Sequence, residues 1–510
     1  MQVQTTAPAR SPSILDILRN VWLYGLAWSA IAALSLLKYF CLSADFPNNS
    51  PWMIDQAKFT DEGWWANAAI MHQLLGHWRV AGDYNPAVVL PVWPSLLSIL
   101  FHFTGVSIIA ARALNVTLSI ATLVIVFCIV RRYTAGHSAF PATLTILVLA
   151  ASPFAFFFSR LATLDTLVIF EFFLALLVAS KASMQRIWSL IALSLLISAM
   201  ILTKTTAIVL IPAVFWIAWQ AIDGKRTGFV RAIFSVGIFP AVLVKLYAAA
   251  VSLAGYGDDY RYFFAVNAVP PIELNHTYAT ITEFLRGCLW IDRSLCYLVP
   301  VILVFSIVWK RSLWCNPLST ACWIALAGQT LFLFSRQEDF APRYYLPMLP
   351  PLAIIVGIAY TEVVFHSRKI AFTFAALLVF SAAFNTKMIL QFLSQRQYQF
   401  INAANSIKRI VQSNPQQKQL MLGISGSQIS LMTGIPSIND SYGTEDMNEK
   451  VLRYQPGWYL AWNTSEEQEK TFLAPFRVEK IASYPAFDDD DRNELILYKL
   501  ALRNENISHH

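Results

Sequence analysis

The sequence predicts a polytopic α-helical membrane protein of about eleven spans, followed by a small α/β domain. Three observations predict it. Of 510 residues, 56% are hydrophobic and only 14% charged, against roughly 25% charged in soluble domains. Apolar stretches of roughly 18 residues or more recur, each long enough to cross a hydrocarbon core. The short connections between them alternate between basic and acidic. The net charge of +7 does not point to nucleic acid, because the basic residues sit in short clusters between apolar runs, as loop anchors do.

Taken in order, the apolar runs fall at 21–42, 109–130, 139–157, 163–180, 188–203, 206–222, 232–253, 294–309, 317–335, 344–364 and 370–391. The stretch 90–104 is short and interrupted by Pro91 and Pro94, so it reads as an interfacial or re-entrant helix. One set of connections holds Arg131 and Arg132, Lys181 and Arg186, Lys225, Arg226 and Arg231, Lys310 and Arg311, and Arg368 and Lys369, with Asp223 the acid among them. The other holds Asp45, Asp55, Asp61, Glu62, Asp83, Asp258, Asp259, Glu273, Glu283, Glu338 and Asp339. The positive-inside rule makes the first set cytoplasmic. Residues 1–20 are then cytoplasmic, and the C-terminal tail lies outside a multi-pass plasma (inner) membrane protein. The first apolar run is too long for a signal-peptide core and lacks a cleavage site.

Three regions fall outside the spans of the 21–391 module or after it. They are an outer loop at 43–108, a second at 254–293, and the tail 392–510. The tail mixes helix-like stretches (Ala403–Gln412, Glu445–Tyr454, Glu466–Phe472) with strand-like ones (Gln419–Gly423, Trp458–Ala461, Leu495–Leu500). It reads as a soluble outer α/β domain, with the acidic run Asp488–Asp491 as a solvated loop. Cys288 and Cys296 share the second outer loop or its edge and could pair in an oxidising compartment. No Cys/His spacing reads as a zinc site.

Candidate chemistry gathers at the outer ends of the runs. Thr60-Asp61-Glu62-Gly63-Trp64-Trp65 opens a helix-compatible stretch in which Thr60 can cap and both acids occupy the first turn. An ordinary interfacial helix would look the same. Further along, Arg160 and Asp165 flank the third-to-fourth span connection. Lys204 closes the fifth run within Leu202-Thr203-Lys204, and Arg343-Tyr344 precede a Pro-rich tenth run. Several cations on the outer side run against the positive-inside bias. An anionic phosphate held there would account for them.

These residues resemble the GT-C glycosyltransferases of the protein O-mannosyltransferase and lipid A aminoarabinose transferase type, the glycosyltransferase 39 or PMT-like proteins. The likeness runs in order over about residues 20–365. It takes in Asp61-Glu62, Gly76-His77-Trp78, Ala111-Arg112, Arg160 to Asp165, Leu202-Thr203-Lys204 and Arg343-Tyr344. Thr205 stands where the pattern usually has Gly, and Gly63-Trp64-Trp65 also departs from it.

The resemblance implies inverting transfer of a sugar from a polyprenyl-phosphate donor in the bilayer to a lipid, glycan or protein acceptor. Asp61 would be general base, supported by Glu62, because it lies in a soluble loop that an acceptor can reach. Asp165 would organise the phosphate-binding groups Arg160, Lys204, Arg343 and Tyr344. No cofactor is required, although Asp61 and Asp165 could offer oxygen ligands to a divalent metal. The tail carries none of these motifs and reads as an accessory that shapes the acceptor cleft or a partner contact. Two alternatives remain, a transporter or flippase of lipid-linked sugars using Arg112, Glu171 and Lys245, and a lipid-linked glycan polymerase or ligase.

Overall fold

The computed structural model describes residues 14–46, 58–135, 138–181, 186–222, 226–268, 277–308, 315–336, 341–463, 476–487 and 492–502. Asp55, Asp223, Lys225, Glu273, Lys310, Arg311, Glu338 and Asp339 fall outside them, as do the expected helix Glu466–Phe472 and the run Asp488–Asp491.

Every apolar run in the described residues is helical. The first helices are α1 (Ile14–Leu37), α2 (Asp61–Leu75), α3 (Val92–Thr104) and α4 (Ile108–Tyr133). The run expected at 139–157 is two helices, α5 (Phe140–Ala151) and α6 (Pro153–Phe158). Pro153 cannot donate to the preceding turn, and Ser152 restarts the helix by accepting from the Ala155 amide at 3.2 Å. Next come α7 (Leu164–Ala179), α8 (Ile187–Thr203) and α9 (Ile211–Ala221).

Helices α10 (Arg226–Ala232), α11 (Phe239–Val251) and α12 (Gly257–Val266) join through two π-helical turns, with a bend at Gly255, φ 86°. The membrane module closes with α13 (Thr277–Ile291), α14 (Arg293–Val308), α15 (Pro317–Ser335), α16 (Leu349–His366) and α17 (Arg368–Ser394).

Five helical runs in the described residues are long and apolar enough to cross a membrane by length and composition, and several shorter apolar helices accompany them. Helix α4, at 26 residues, rises about 39 Å, more than a hydrocarbon core of about 30 Å. The bundle core gathers apolar residues of α5, α7, α9 and α16, such as Leu149, Phe173, Val214 and Ile354. Helix α3 is not in that core. Its Trp93, Leu97 and Phe101 pack with the first loop and the tail.

The tail adds α18 (Gln399–Ser413), α19 (Gly426–Thr433) and α20 (Met447–Tyr454). Its strands are β1 (Met421–Leu422), β2 (Ser437–Ile438), β3 (Trp458–Trp462), β4 (Phe476–Pro485) and β5 (Glu494–Leu502), in the order β2-β1-β3-β5-β4. Strand β1 lies parallel to β2 and β3, while β5 runs antiparallel to β3 and β4.

The tail docks tightly on the first loop. Asp45 accepts from the amides of Phe400 and Ile401, at the start of α18. Asp83 pairs with Lys450 and accepts from the Asn439 amide. Burial pushes the Asp83 carboxyl up to about 6, with the Lys450 ammonium opposing the rise. Cys288 and Cys296 are free thiols in this structure, and the Cys296 sulfur donates to the Cys288 carbonyl.

Candidate active site

Asp61 and Asp165 occupy equivalent places, each in the first turn of a helix, where the N-terminal dipole favours a carboxylate. Thr60 does not cap α2 as expected. Its hydroxyl donates instead to Asp61 Oδ1 at 3.0 Å. Asp61 is not in an open loop either. It is 3% exposed and its Oδ2 lies 2.6 Å from Arg343 Nη2. Asp165 Oδ1 lies 2.5 Å from Lys204 Nζ.

Local backbone breaks aim both cations. Helix α8 stops at Thr203, Lys204 is extended, and a 3-10 turn follows over Thr205–Leu210. Arg343 sits in a second 3-10 turn, Pro342–Met348. In that turn the Tyr344 carbonyl faces Pro347, which has no N–H. Gln329 Nε2 supplies the missing donor at 2.7 Å. The Tyr344 ring then lies between the two cations, with Lys204 Nζ 5.0 Å and Arg343 Cζ 5.3 Å from its centroid. Asp61, Arg343, Tyr344, Lys204 and Asp165 thus form one continuous strip.

Glu62 is employed differently. Arg112 grips it with two nitrogens, Nε to Oε1 at 2.8 Å and Nη2 to Oε2 at 2.6 Å. The Ala162 amide and Gln428 Nε2 also donate to it, at 2.7 and 3.0 Å. Four donors occupy its two oxygens, and the geometry makes it a brace that ties α2 to α4, the Arg160–Asp165 connection and the tail. Arg160 is tied down too. It donates to the Phe40 and Cys41 carbonyls at 2.8 and 2.7 Å and so fixes the stretch that follows α1.

Two contributors escaped the sequence reading. Asn115 Nδ2 holds the Leu161 and Thr163 carbonyls, and a polar residue inside an apolar run was the signal for it. Gln428 came from the tail and carried no signal. Its Oε1 accepts from the Gly63 amide at 2.7 Å, and a Cβ at Gly63 would stand 2.1 Å from the Gln428 nitrogen. The tail is therefore part of the site's wall.

A metal fits poorly here. Asp61 and Asp165 are each compensated by a cation, and no group of three or more His, Cys, Asp or Glu gathers among the described residues. The residues a transporter would use lie apart. Arg112 is committed to Glu62, Glu171 accepts from Thr203 at 3.0 Å, and Lys245 is exposed on α11. Below the strip, Asp165, Lys204, Gln329 and Tyr344 head a cleft of about 10 Å³ whose walls include Val168, Leu210 and Phe332.

Residues 86–247 match a family model described as dolichyl-phosphate-mannose-protein mannosyltransferase. The match takes in Arg160, Asp165 and Lys204, while Asp61 and Arg343 fall outside it. The fold is of the GT-C type, and the family match over residues 86–247 is to membrane glycosyltransferases.

Within that class it is similar to ArnT from Cupriavidus metallidurans. The apo structure of that protein aligns with a TM-score of 0.59 at 13% identity, covering 93% of this chain and 98% of ArnT. The structure bound to undecaprenyl phosphate gives 0.56 at 14% identity, with 92% and 97% covered. No curated protein matches the sequence.

Proposed function

We propose that the chain moves a sugar from a polyprenyl-phosphate donor to a hydroxyl or amine of a lipid, glycan or protein acceptor, at the outer face of the plasma (inner) membrane. The observation that carries this reading is the strip Asp61–Arg343–Tyr344–Lys204–Asp165, with an apolar cleft beneath its cationic end. ArnT, solved with undecaprenyl phosphate, supports a lipid phosphate as the anion.

In this structure the cleft has room for roughly one water, so the lipid enters as the side chains part. The donor phosphate competes with the two aspartates for Lys204 and Arg343. As the phosphate takes each cation, it releases that cation's carboxylate. Asp61, freed from Arg343, then takes the proton from the acceptor. The acceptor's lone pair attacks the anomeric carbon from the side opposite the phosphate, and the bond from that carbon to the phosphate oxygen breaks with its electrons. Lys204 and Arg343 stabilise the charge gathering on the departing polyprenyl phosphate. The Tyr344 ring keeps the two cations at a common height. Arg160 contributes indirectly by fixing the stretch that follows α1, and no step runs through a metal.

The test is transfer by the purified protein in liposomes, using labelled polyprenyl-phosphate sugars and envelope extracts as acceptor. Mass spectrometry of the products should show one new glycosidic bond, and the anomeric proton coupling in NMR should show its inverted configuration. Movement of lipid-linked sugar across the bilayer with no product formed would sink the reading in favour of transport.

A further inference from the structure

The proposed reaction does not use the buried Lys38. Lys38, just past the end of α1, is 1% exposed, and among the described residues its ammonium meets no carboxylate. It donates to Ser119 Oγ at 2.8 Å. It borders a cavity of about 50 Å³ that also touches Thr122, Ser159, Thr166 and Leu346. Helix α7 separates this cavity from the cleft of the candidate active site. Thr166 and Ile169 face the cavity, while Asp165 and Val168 face the cleft.

The hydroxyls divide by what they already do. Thr122 donates to the Leu118 carbonyl and Ser159 to the Phe156 carbonyl, so both protons are in use. Ser119 accepts from Lys38 and keeps its own proton, and Thr166 Oγ1 is buried with no partner. Three donor groups, on Lys38, Ser119 and Thr166, are therefore available to the cavity. The Arg160 guanidinium, bonded to Phe40 and Cys41, adds a second positive charge near the Lys38 end of α1.

A buried ammonium without a counter-charge is strongly disfavoured. A volume of about 50 Å³ exceeds the roughly 10–15 Å³ one water needs, which leaves room for a small anion and its water. We propose that this cavity is an anion site, separate from the strip around Lys204, in which Lys38, Ser119 and Thr166 donate to one bound anion. A free halide and a lipid phosphate headgroup share that chemistry, and the experiment tells them apart.

Thermal unfolding of the purified full chain in detergent is followed while chloride replaces gluconate at constant ionic strength. A parallel arm adds farnesyl phosphate. Wild type should rise by a saturable roughly 1–3 °C with the anion it uses. The chloride rise should vanish in Lys38→Met, the farnesyl phosphate rise should fall to the part given by the strip, and Thr166→Val should need several-fold more anion. A rise with chloride identifies a free anion. A farnesyl phosphate rise that drops in Lys38→Met, with no chloride response, identifies a headgroup. Should Lys38→Met fail to fold, Thr166→Val and the anomalous signal of bromide beside Lys38 in wild-type crystals decide. Identical responses of wild type and Thr166→Val in both arms, or a chloride rise with no bromide signal beside Lys38, overturn the proposal.

Discussion

Asp61 and Glu62 are neighbours in the chain and both buried, yet one sits at the edge of the strip proposed to react and the other in the scaffold. Glu62 receives four donors from three separate segments, two from Arg112 and one each from Ala162 and Gln428. Asp61 accepts from the Thr60 hydroxyl and pairs with Arg343, whose guanidinium also lies 5.3 Å from the Tyr344 ring centroid. The difference teaches that burial alone does not separate a structural carboxylate from a reactive one. What separates them is whether an incoming anion can replace the partner. Arg112 is further held by the Leu42 and Ala44 carbonyls at 2.7 and 2.9 Å, so no ligand displaces it cheaply.

The largest expected effect is on turnover. Asp61→Asn should cut transfer roughly 10²–10⁴-fold while donor affinity rises, because Arg343 loses the carboxylate that competes with the phosphate, as read by steady-state kinetics and donor-binding titration. A correctly folded Asp61→Asn enzyme with full activity would break the comparison outright. Next is Arg112→Met, which leaves Glu62 buried without its cation and should destabilise by about 3–5 kcal/mol. Thermal unfolding should show that loss before any kinetic measurement becomes possible. If the Arg112→Met protein is stable and inactive, Glu62 belongs to the reactive side after all.

Smaller again are Lys204→Ala and Arg343→Ala, each expected to weaken donor binding about tenfold or more, since charge-assisted contacts contribute roughly 1.5–3 kcal/mol. Direct binding of a prenyl phosphate reads this, and unchanged affinity in both variants removes the phosphate assignment. The mildest is Gly63→Ala, which forces α19 away from α2 at about 1–3 kcal/mol. Limited proteolysis should then clip the tail faster, while the Lys204 end of the strip still binds lipid. Equal clipping rates would mean that the tail is held elsewhere.

The charged ends of the strip were legible because Asp165, Lys204 and Arg343 stand out against apolar runs, where an ionisable residue needs a reason. Their pairing was not legible, because sequence spacing cannot say which of Arg160, Lys204 or Arg343 reaches which aspartate. Asp61 was misjudged for a related reason. It follows polar loop residues, and its burial comes from α19 and the Pro342–Met348 turn, far along the chain. Helices were readable from long apolar runs and β1 falls within the strand-like Gln419–Gly423, whereas β2 is two residues, too short for an alternating pattern to register. Gln428 was hidden in a polar tail where another glutamine attracts no notice.

The close approach at Gly63 has a consequence for how the molecule is made. Residues 61–63 leave the ribosome early, but the amide that Gln428 completes waits for a partner 365 positions later in sequence. Contacts of such separation form slowly. Until α19 is synthesised and seated, the wall beside Asp61 is missing. A half-made chain in the membrane would therefore already hold Asp165 and Lys204 without a finished acceptor side, so activity should switch on only once the tail has docked.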